Sequence, residues 1–278
     1  MAQIFTPLPK AQSRRQALIL RLPGADPLSP APWSGLTALP FLSRLCREGA
    51  WLAWVGEGPN GPDPWNPARL GKALSRPELR AGLFNLPLPR PLPAGALFAV
   101  PEPGPGLAGR LRPRELALDL GDYLAGAVWT VGRPRPRPHE RDLALAQQAA
   151  FARLAFEHAD RLTRVHRPEL VAVGLACPGL GGLTQVRALN KPESGRELML
   201  LSQLDGYAEG LARAAGAEAV ICLAGVKGAL LWSPGLIRPG ASGEAEPEML
   251  PALIPLILGL EQADALHGTI PAGILDSF

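Results

Sequence analysis

The chain of 278 residues is 47% hydrophobic and 19% charged, and its formal net charge is +3. This composition excludes a wholly disordered chain, which would combine low hydrophobicity with high net charge. The basic excess, 28 residues against 25 acidic ones, is too small to indicate a nucleic-acid partner. A chain of this length holds one large domain or two small ones, and we expect residues 1–278 to form a single domain.

The cysteines and the apolar segments indicate in which cellular compartment the protein is expected. Cys46, Cys177 and Cys222 lie far apart, without the spacing of a metal site or of a disulfide framework, and we interpret them as small buried thiols. The first residues lack the apolar core of a signal peptide. The longest apolar stretch, residues 249–260, is too short to span a bilayer. We therefore expect a soluble cytoplasmic protein that has no membrane partner.

The first half of the chain is predicted to contain three strands and one helix. An apolar run at residues 16–22 stops at a Pro-Gly pair, as a buried strand that ends in a turn does. Leucines recur at helical spacing over residues 37–49, which predicts a helix. Short apolar runs at residues 51–55 and 96–100 predict two more strands.

The second half alternates long helices with strands. It begins after a basic Arg-Pro repeat at residues 133–138, which we interpret as a solvated spacer. Helices are predicted at residues 139–166, 197–215 and 248–260, and strands at residues 169–176, 219–223 and 229–232.

This alternation predicts the fold class and the place of the chemistry. Strands that alternate with long helices form an α/β fold with a mostly parallel sheet. In such sheets, ligands bind at the carboxyl ends of the strands. The candidate positions are therefore those just after Leu22, after Ala176 and after Leu223.

The order of the sequence motifs resembles the alkaline phosphatase superfamily, especially its type I phosphodiesterase/nucleotide pyrophosphatase branch. The most specific match is the segment PFLSRLCREGA from Pro40 to Ala50, which is similar to the family pattern P-x-L-x-R-L-x-x-E-G-A. Further matches follow in family order over nearly the whole chain, at residues 82–87, 167–173, 204–205, 232–240 and 256–274.

The resemblance implies a fold and a chemistry. The fold is a three-layer sandwich, in which helices cover both faces of a mostly parallel central sheet. The chemistry uses two metal ions, usually zinc, which Asp and His side chains hold beside a Thr or Ser nucleophile. Such a site supplies positive charge to an anionic phosphate and activates the nucleophile.

The expected metal-binding positions are occupied by other residues. Pro23 and Gly24 stand where the family has an Asp-Gly pair, and proline cannot bind a metal. After the strand at residues 169–176, the expected Asp and His fall at Gly179 and Leu183. Neither glycine nor leucine has a side chain that ligates a metal.

The nucleophile and the last motif are also absent from their expected places. The family's T-x-P segment matches Trp65, Asn66 and Pro67, which puts tryptophan at the nucleophile position. After the strand at residues 219–223, the S-D-H-G motif is missing, and the chain passes through Lys227 into the next predicted strand. We consider Asn66 and Lys227 as possible polar contacts of a degenerate site.

These departures favour a catalytically inactive relative of metal-dependent phosphodiesterases and phosphatases. Such a protein would have no metal cofactor and no catalytic residues, and would bind an unknown small molecule or protein. The alternative is an active hydrolase of phosphate esters with a rearranged site for two divalent metals such as zinc or manganese. Asp26, Glu57 and Asp63 are the carboxylates that could rebuild a site of this kind for Mg²⁺ or Mn²⁺.

The four histidines do not match the ligand positions of the family. His139, His158 and His166 lie on or beside the predicted helix at residues 139–166, and His267 lies near the end of the chain. We interpret His158 and His166 as surface or packing residues. A nucleic-acid-associated protein is a third hypothesis, which rests on the basic spacer alone.

Overall fold

The computed structural model describes residues 16–21, 39–54, 74, 79–88, 91–103, 107–130, 141–175, 195–224, 228–235 and 237–245. Within these ranges the chain forms one eight-stranded sheet, in the spatial order β4-β3-β5-β1-β6-β7-β2-β8. The strands are β1 (Ala17–Arg21), β2 (Ala50–Trp54), β3 (Ala81–Leu86), β4 (Ala96–Pro101), β5 (Leu170–Gly174), β6 (Val220–Ala224), β7 (Gly228–Trp232) and β8 (Ser242–Ala245).

The sheet is mostly parallel, as the sequence predicts. Only β7 runs against its neighbours β6 and β2, while all other adjacent pairs are parallel. The antiparallel step follows from the short connection between β6 and β7, because a parallel neighbour would need a crossover of a dozen residues or more. The mixed α/β fold class is therefore confirmed.

The central strands are buried on both faces. All five residues of β5 are buried, which is typical of a parallel strand with cover on each side. In β1, Leu18 and Leu20 belong to one hydrophobic core. Ala17 and Ile19 belong to a second core on the opposite face. The alternation of side chains along a strand explains this division.

The described helices all cover the face of Leu18 and Leu20. Every buried apolar residue of these helices that belongs to a core belongs to the first one, and none belongs to the second. The helices are α1 (Pro40–Glu48), α2 (Leu116–Asp119), α3 (Gly121–Thr130), α4 (Arg141–His166) and α5 (Gly195–Ala215), with a 3₁₀ turn at Ala108–Arg110.

On the second face, the described cover comes from irregular chain, such as Leu74 and Ile237. We expected helices on both faces of the sheet. In the described part of the chain, helices cover one face. The helix predicted at residues 248–260 and the spacer at residues 133–138 lie outside the described residues. None of the helices described is long and apolar enough to cross a bilayer.

Candidate functional site

The ends of three central strands lie side by side at one edge of the sheet. Arg21, the last residue of β1, is paired in register with Gly174 of β5 and with Ala224 of β6. We call this edge, defined by Arg21, Gly174 and Ala224, the carboxyl edge. Of the three positions that the sequence singles out for chemistry, those after Leu22 and Ala176 lie just beyond this edge along the chain, and the one after Leu223 begins at the edge itself.

The residues predicted to form the degenerate site lie outside the described residues, and so do the carboxylates of the alternative metal site. The structure thus brings together the strand ends from which three of the predicted segments leave, and it does not test the individual residues. The residues of the degenerate site, which remain predictions, are Pro23, Gly24, Trp65, Asn66, Gly179, Leu183 and Lys227. The carboxylates of the alternative metal site, which also remain predictions, are Asp26, Glu57 and Asp63.

Asn85 and Gly174 approach each other closely at this edge. Asn85 is buried in β3 with a φ of 54°, a left-handed conformation that asparagine tolerates better than most residues. Its side-chain Nδ2 donates a hydrogen bond to the Gly174 carbonyl oxygen at 2.6 Å. A Cβ atom on Gly174 would collide with the Asn85 carbonyl oxygen, so only glycine fits at the end of β5.

Two helices complete a buried polar cluster around this contact. The Tyr123 hydroxyl of α3 donates to Asn85 Oδ1 at 3.2 Å, and Gln148 of α4 donates through Nε2 to the Leu175 carbonyl at 3.3 Å. Asn85, Tyr123 and Gln148 are almost fully buried, and we call them the edge polar cluster. Since these groups are neutral, the cluster orients the end of β5 without placing a charge there.

The sequence analysis did not identify the edge polar cluster. The available signal was Asn85, a polar residue inside the apolar segment GLFNL of β3. Tyr123 and Gln148 lie on helices, at positions where polar residues are ordinary in a sequence. Their role depends on contacts with β3 and β5 that span 27 to 38 residues along the chain.

Beside this cluster, His158 of α4 is hydrogen-bonded to Asp122 of α3. His158 Nε2 lies 2.7 Å from Asp122 Oδ1, and the Tyr123 backbone amide donates to the same oxygen at 2.8 Å. Burial raises the pKa of the Asp122 carboxyl, but the hydrogen bonds from His158 and Tyr123 outweigh burial and hold this pKa below its ordinary value. Asp122 is therefore a carboxylate near neutral pH.

The interpretation of two histidines as packing residues is confirmed. His158 is buried and faces the ring of Tyr123, with 6.3 Å between the ring centroids. His166, two turns further along α4, lies 5.6 Å from the ring of Phe98. His139 and His267 lie outside the described residues.

A buried carboxylate, Asp205, joins α5 to α1. Asp205 of α5 accepts hydrogen bonds from the backbone amides of Phe41 and Leu42, at 3.1 and 2.7 Å. The residue at the amino-terminal cap of α1, Leu39, has no side chain that could accept them. Burial raises the pKa of Asp205, although the two amides and Arg44 act in the opposite direction. This carboxylate holds a helix end rather than a ligand.

The residues of the most specific sequence motif have structural roles. The Arg44 guanidinium lies 5.4 Å from the ring centroid of Trp232 and 5.5 Å from that of Phe41, in the geometry of a cation–π contact. Trp232 Nε1 donates to Glu48 at 3.2 Å. A Cβ atom on Gly49 would lie 2.5 Å from the Leu45 carbonyl oxygen. Through these contacts the motif docks α1 against β7.

Of the two described cysteines, Cys222 is buried as the sequence predicts, whereas Cys46 is half-buried. Burial raises the pKa of the Cys46 and Cys222 thiols to about 12, so neither is a thiolate near neutral pH. Cys177 lies outside the described residues. Among the residues that the structure describes, no three His, Cys, Asp or Glu side chains are grouped so that they could hold a metal ion.

No protein-family model matches the chain, and no curated protein matches it. It is similar to two solved structures of phosphonoacetate hydrolase from Sinorhizobium meliloti 1021, in complex with phosphonoacetate and with phosphonoformate. Identity is 16% with a TM-score of 0.40 for the first, and 14% with 0.37 for the second. Each match covers 76% of this chain and 56% of the hydrolase.

Proposed function

We propose that this protein is a catalytically inactive relative of metal-dependent phosphodiesterases and phosphatases of the alkaline phosphatase superfamily. In this proposal a single α/β domain keeps the scaffold of these enzymes, and the carboxyl edge binds a small molecule or a partner protein without turnover. The degenerate site comprises Pro23, Gly24, Trp65, Asn66, Gly179, Leu183 and Lys227.

The observation that carries the proposal is the register of β1, β5 and β6. Arg21, Gly174 and Ala224 are neighbours at one edge, so the segments that follow them in sequence leave the sheet from the same place. Metal-dependent phosphotransfer needs carboxylates or imidazoles there. The residues just after β1 are Leu22, Pro23 and Gly24, and residues 175–183 contain no Asp, Glu or His.

The structural roles of the Pro40–Ala50 motif give further support. Its arginine, glutamate and glycine contact β7 and the helix itself, so they stabilise the fold whether or not a reaction occurs. A protein that lost its metals would still need these contacts to fold. Retention of the motif together with loss of the ligands is the combination that a non-catalytic descendant of an enzyme would show.

The test is phosphoester hydrolysis by the full-length protein. We expect no turnover of p-nitrophenyl phosphate or bis(p-nitrophenyl) phosphate above the buffer rate, with Zn²⁺, Mn²⁺ or Mg²⁺ added. Metal-dependent turnover would overturn the proposal. The matched control is the triple variant Asp26→Asn, Glu57→Gln, Asp63→Asn. If turnover occurs and this variant abolishes it, the protein is an active hydrolase with a rearranged metal site.

A further inference from the structure

Two buried side-chain oxygens of α4 have no hydrogen-bond partner among the residues that the structure describes. They are Oδ1 of Asp160 and Oγ1 of Thr163. The other carboxylate oxygen of Asp160, Oδ2, accepts a hydrogen bond from Arg164 Nε at 2.8 Å. Asp160 therefore bonds to an exposed arginine through one oxygen and keeps the second inside the protein. A buried acceptor without a donor destabilises a fold, and most such groups in proteins have a partner.

The two oxygens belong to neighbouring side chains that face α5. Residues three positions apart on a helix have Cβ atoms about 5 to 6 Å from each other. The face is identified by Phe156, whose ring stacks on that of Tyr207 of α5 with 4.7 Å between the centroids. Asp160 and Thr163 follow Phe156 by one and by two helical turns, so they lie on the same side of α4.

The part of α5 that lies opposite is apolar. Both helices run in the same direction, because α4 leads into β5 and α5 leads into β6, and these strands are both parallel to β1. One and two turns after Tyr207, α5 therefore presents Leu211 and Ala214 to Asp160 and Thr163. Neither leucine nor alanine has a side chain that donates or accepts a hydrogen bond, so the partner of the two oxygens is not a side chain of α5.

A water molecule has the hydrogen-bonding groups that this place requires. It can donate to the Asp160 carboxylate, which only accepts, and accept the hydrogen of the Thr163 hydroxyl. Buried waters in proteins typically bond to polar groups that are otherwise unsatisfied. A cation such as Ca²⁺ fits less well, because it takes about six to eight oxygen ligands, and two side-chain oxygens are grouped here.

We propose that an ordered water molecule is bound between α4 and α5, where it bridges Asp160 Oδ1 and Thr163 Oγ1. The bound water allows Asp160 to pair with Arg164 through its outer oxygen while its inner oxygen remains hydrogen-bonded. The site is part of the scaffold. It does not depend on what the carboxyl edge binds, nor on whether the protein is catalytic.

A crystal structure of the full-length protein, at a resolution that places solvent, tests the site directly. We expect one solvent peak within hydrogen-bonding distance of both Asp160 Oδ1 and Thr163 Oγ1. A structure without this peak would overturn the proposal. So would a Thr163 side chain that is rotated to donate to the Ala159 carbonyl one turn earlier, which is a common arrangement of threonine in helices.

Two variants of Thr163 test whether the water stabilises the fold. Thr163→Val has nearly the same shape but lacks the hydroxyl, so the water loses one of its two partners and Tm should fall. If the hydroxyl is instead unsatisfied in the native protein, its removal should raise Tm. A Tm of Thr163→Val equal to or above that of the wild type would therefore contradict the proposal.

The matched control is Thr163→Ser, which removes a methyl group and keeps the hydroxyl. Its crystal structure should retain the solvent peak, whereas that of Thr163→Val should lose it. Loss of the peak in Thr163→Ser would show that the hydroxyl does not hold the water. If Thr163→Val fails to fold, the wild type and Thr163→Ser still decide the question, because both should contain the same peak.

Discussion

The carboxylate of Asp205 accepts a hydrogen bond from the Leu42 amide at 2.7 Å, across 163 residues of sequence. With the second bond from Phe41, it satisfies two amides at the start of α1 that have no partner within the helix. This contact fixes α1 to α5. It makes Asp205 a structural carboxylate, although it is the kind of buried acidic residue that often marks an active site.

Replacing Asp205 is expected to destabilise the protein, and the loss should depend on how many hydrogen bonds the new side chain can accept. Asp205→Ala leaves two buried amides without a partner, which should cost about 2 to 4 kcal/mol of unfolding free energy. Asp205→Asn keeps one oxygen as an acceptor and should cost clearly less. Urea denaturation of both variants measures the difference. Equal losses would show that the hydrogen bonds to α1 are not what Asp205 contributes.

The raised pKa of Asp205 predicts a pH dependence of stability. Because burial raises this pKa in the folded protein above the ordinary value of 3.8, the folded state binds more protons than the unfolded state just above that value. Stability linked to Asp205 should therefore increase as the pH falls from neutral toward 3.8, and decrease as the pH rises. The measurement is the difference in unfolding free energy between the wild type and Asp205→Asn, taken at several pH values between 3.8 and neutral. A difference that stays constant or falls toward acid pH would contradict the assignment.

Two glycines should respond in opposite ways to alanine. Gly174→Ala places a Cβ against the Asn85 carbonyl oxygen, and the backbone must move, at a cost of about 2 to 3 kcal/mol. Gly206 lies inside α5 with no atom near its Cβ position, so Gly206→Ala should stabilise the protein by about 0.5 to 1 kcal/mol. Thermal unfolding of the two variants checks both signs. A neutral Gly174→Ala would mean that β3 and β5 are further apart than described.

The thiols of Cys46, which is half-buried, and of Cys222, which is buried, should resist modification in the native state. Burial raises the pKa of Cys46 and Cys222 to about 12, which leaves little thiolate for reaction near neutral pH. In a Cys177→Ser variant, a disulfide reagent such as Ellman's reagent should label neither thiol rapidly before denaturation and both after it. Rapid native labelling of Cys222 would contradict its burial inside β6.

The apolar runs were sufficient to predict the centre of the fold. β1 and β5 are continuous apolar segments because both of their faces are covered. The helices α1, α4 and α5 can be recognised from the sequence, either by apolar residues at helical spacing or by the length of the segment. By contrast, α3 begins at a glycine and β8 reads SGEA. Neither segment displays the hydrophobic period of a helix or of a strand, so the sequence alone does not predict them.

The candidate site was less accessible from the sequence. The pairing of Arg21 with Gly174 and Ala224 follows from the parallel sheet. The sequence therefore indicates the ends of these strands as the candidate site. The edge polar cluster and the Asp205 contact depend on which residues meet across 27 to 164 positions. A single sequence carries no local pattern for such contacts, because polar residues with these partners look like ordinary surface residues.

The most direct test of the central claim is the metal content of the protein. The purified chain is incubated with Zn²⁺ and Mn²⁺, desalted, and its ions are counted per chain by elemental analysis. A non-catalytic descendant of a two-metal enzyme should retain almost none. One or two tightly held ions per chain, lost on replacing Asp26, Glu57 and Asp63, would contradict the proposal and establish a rearranged metal site.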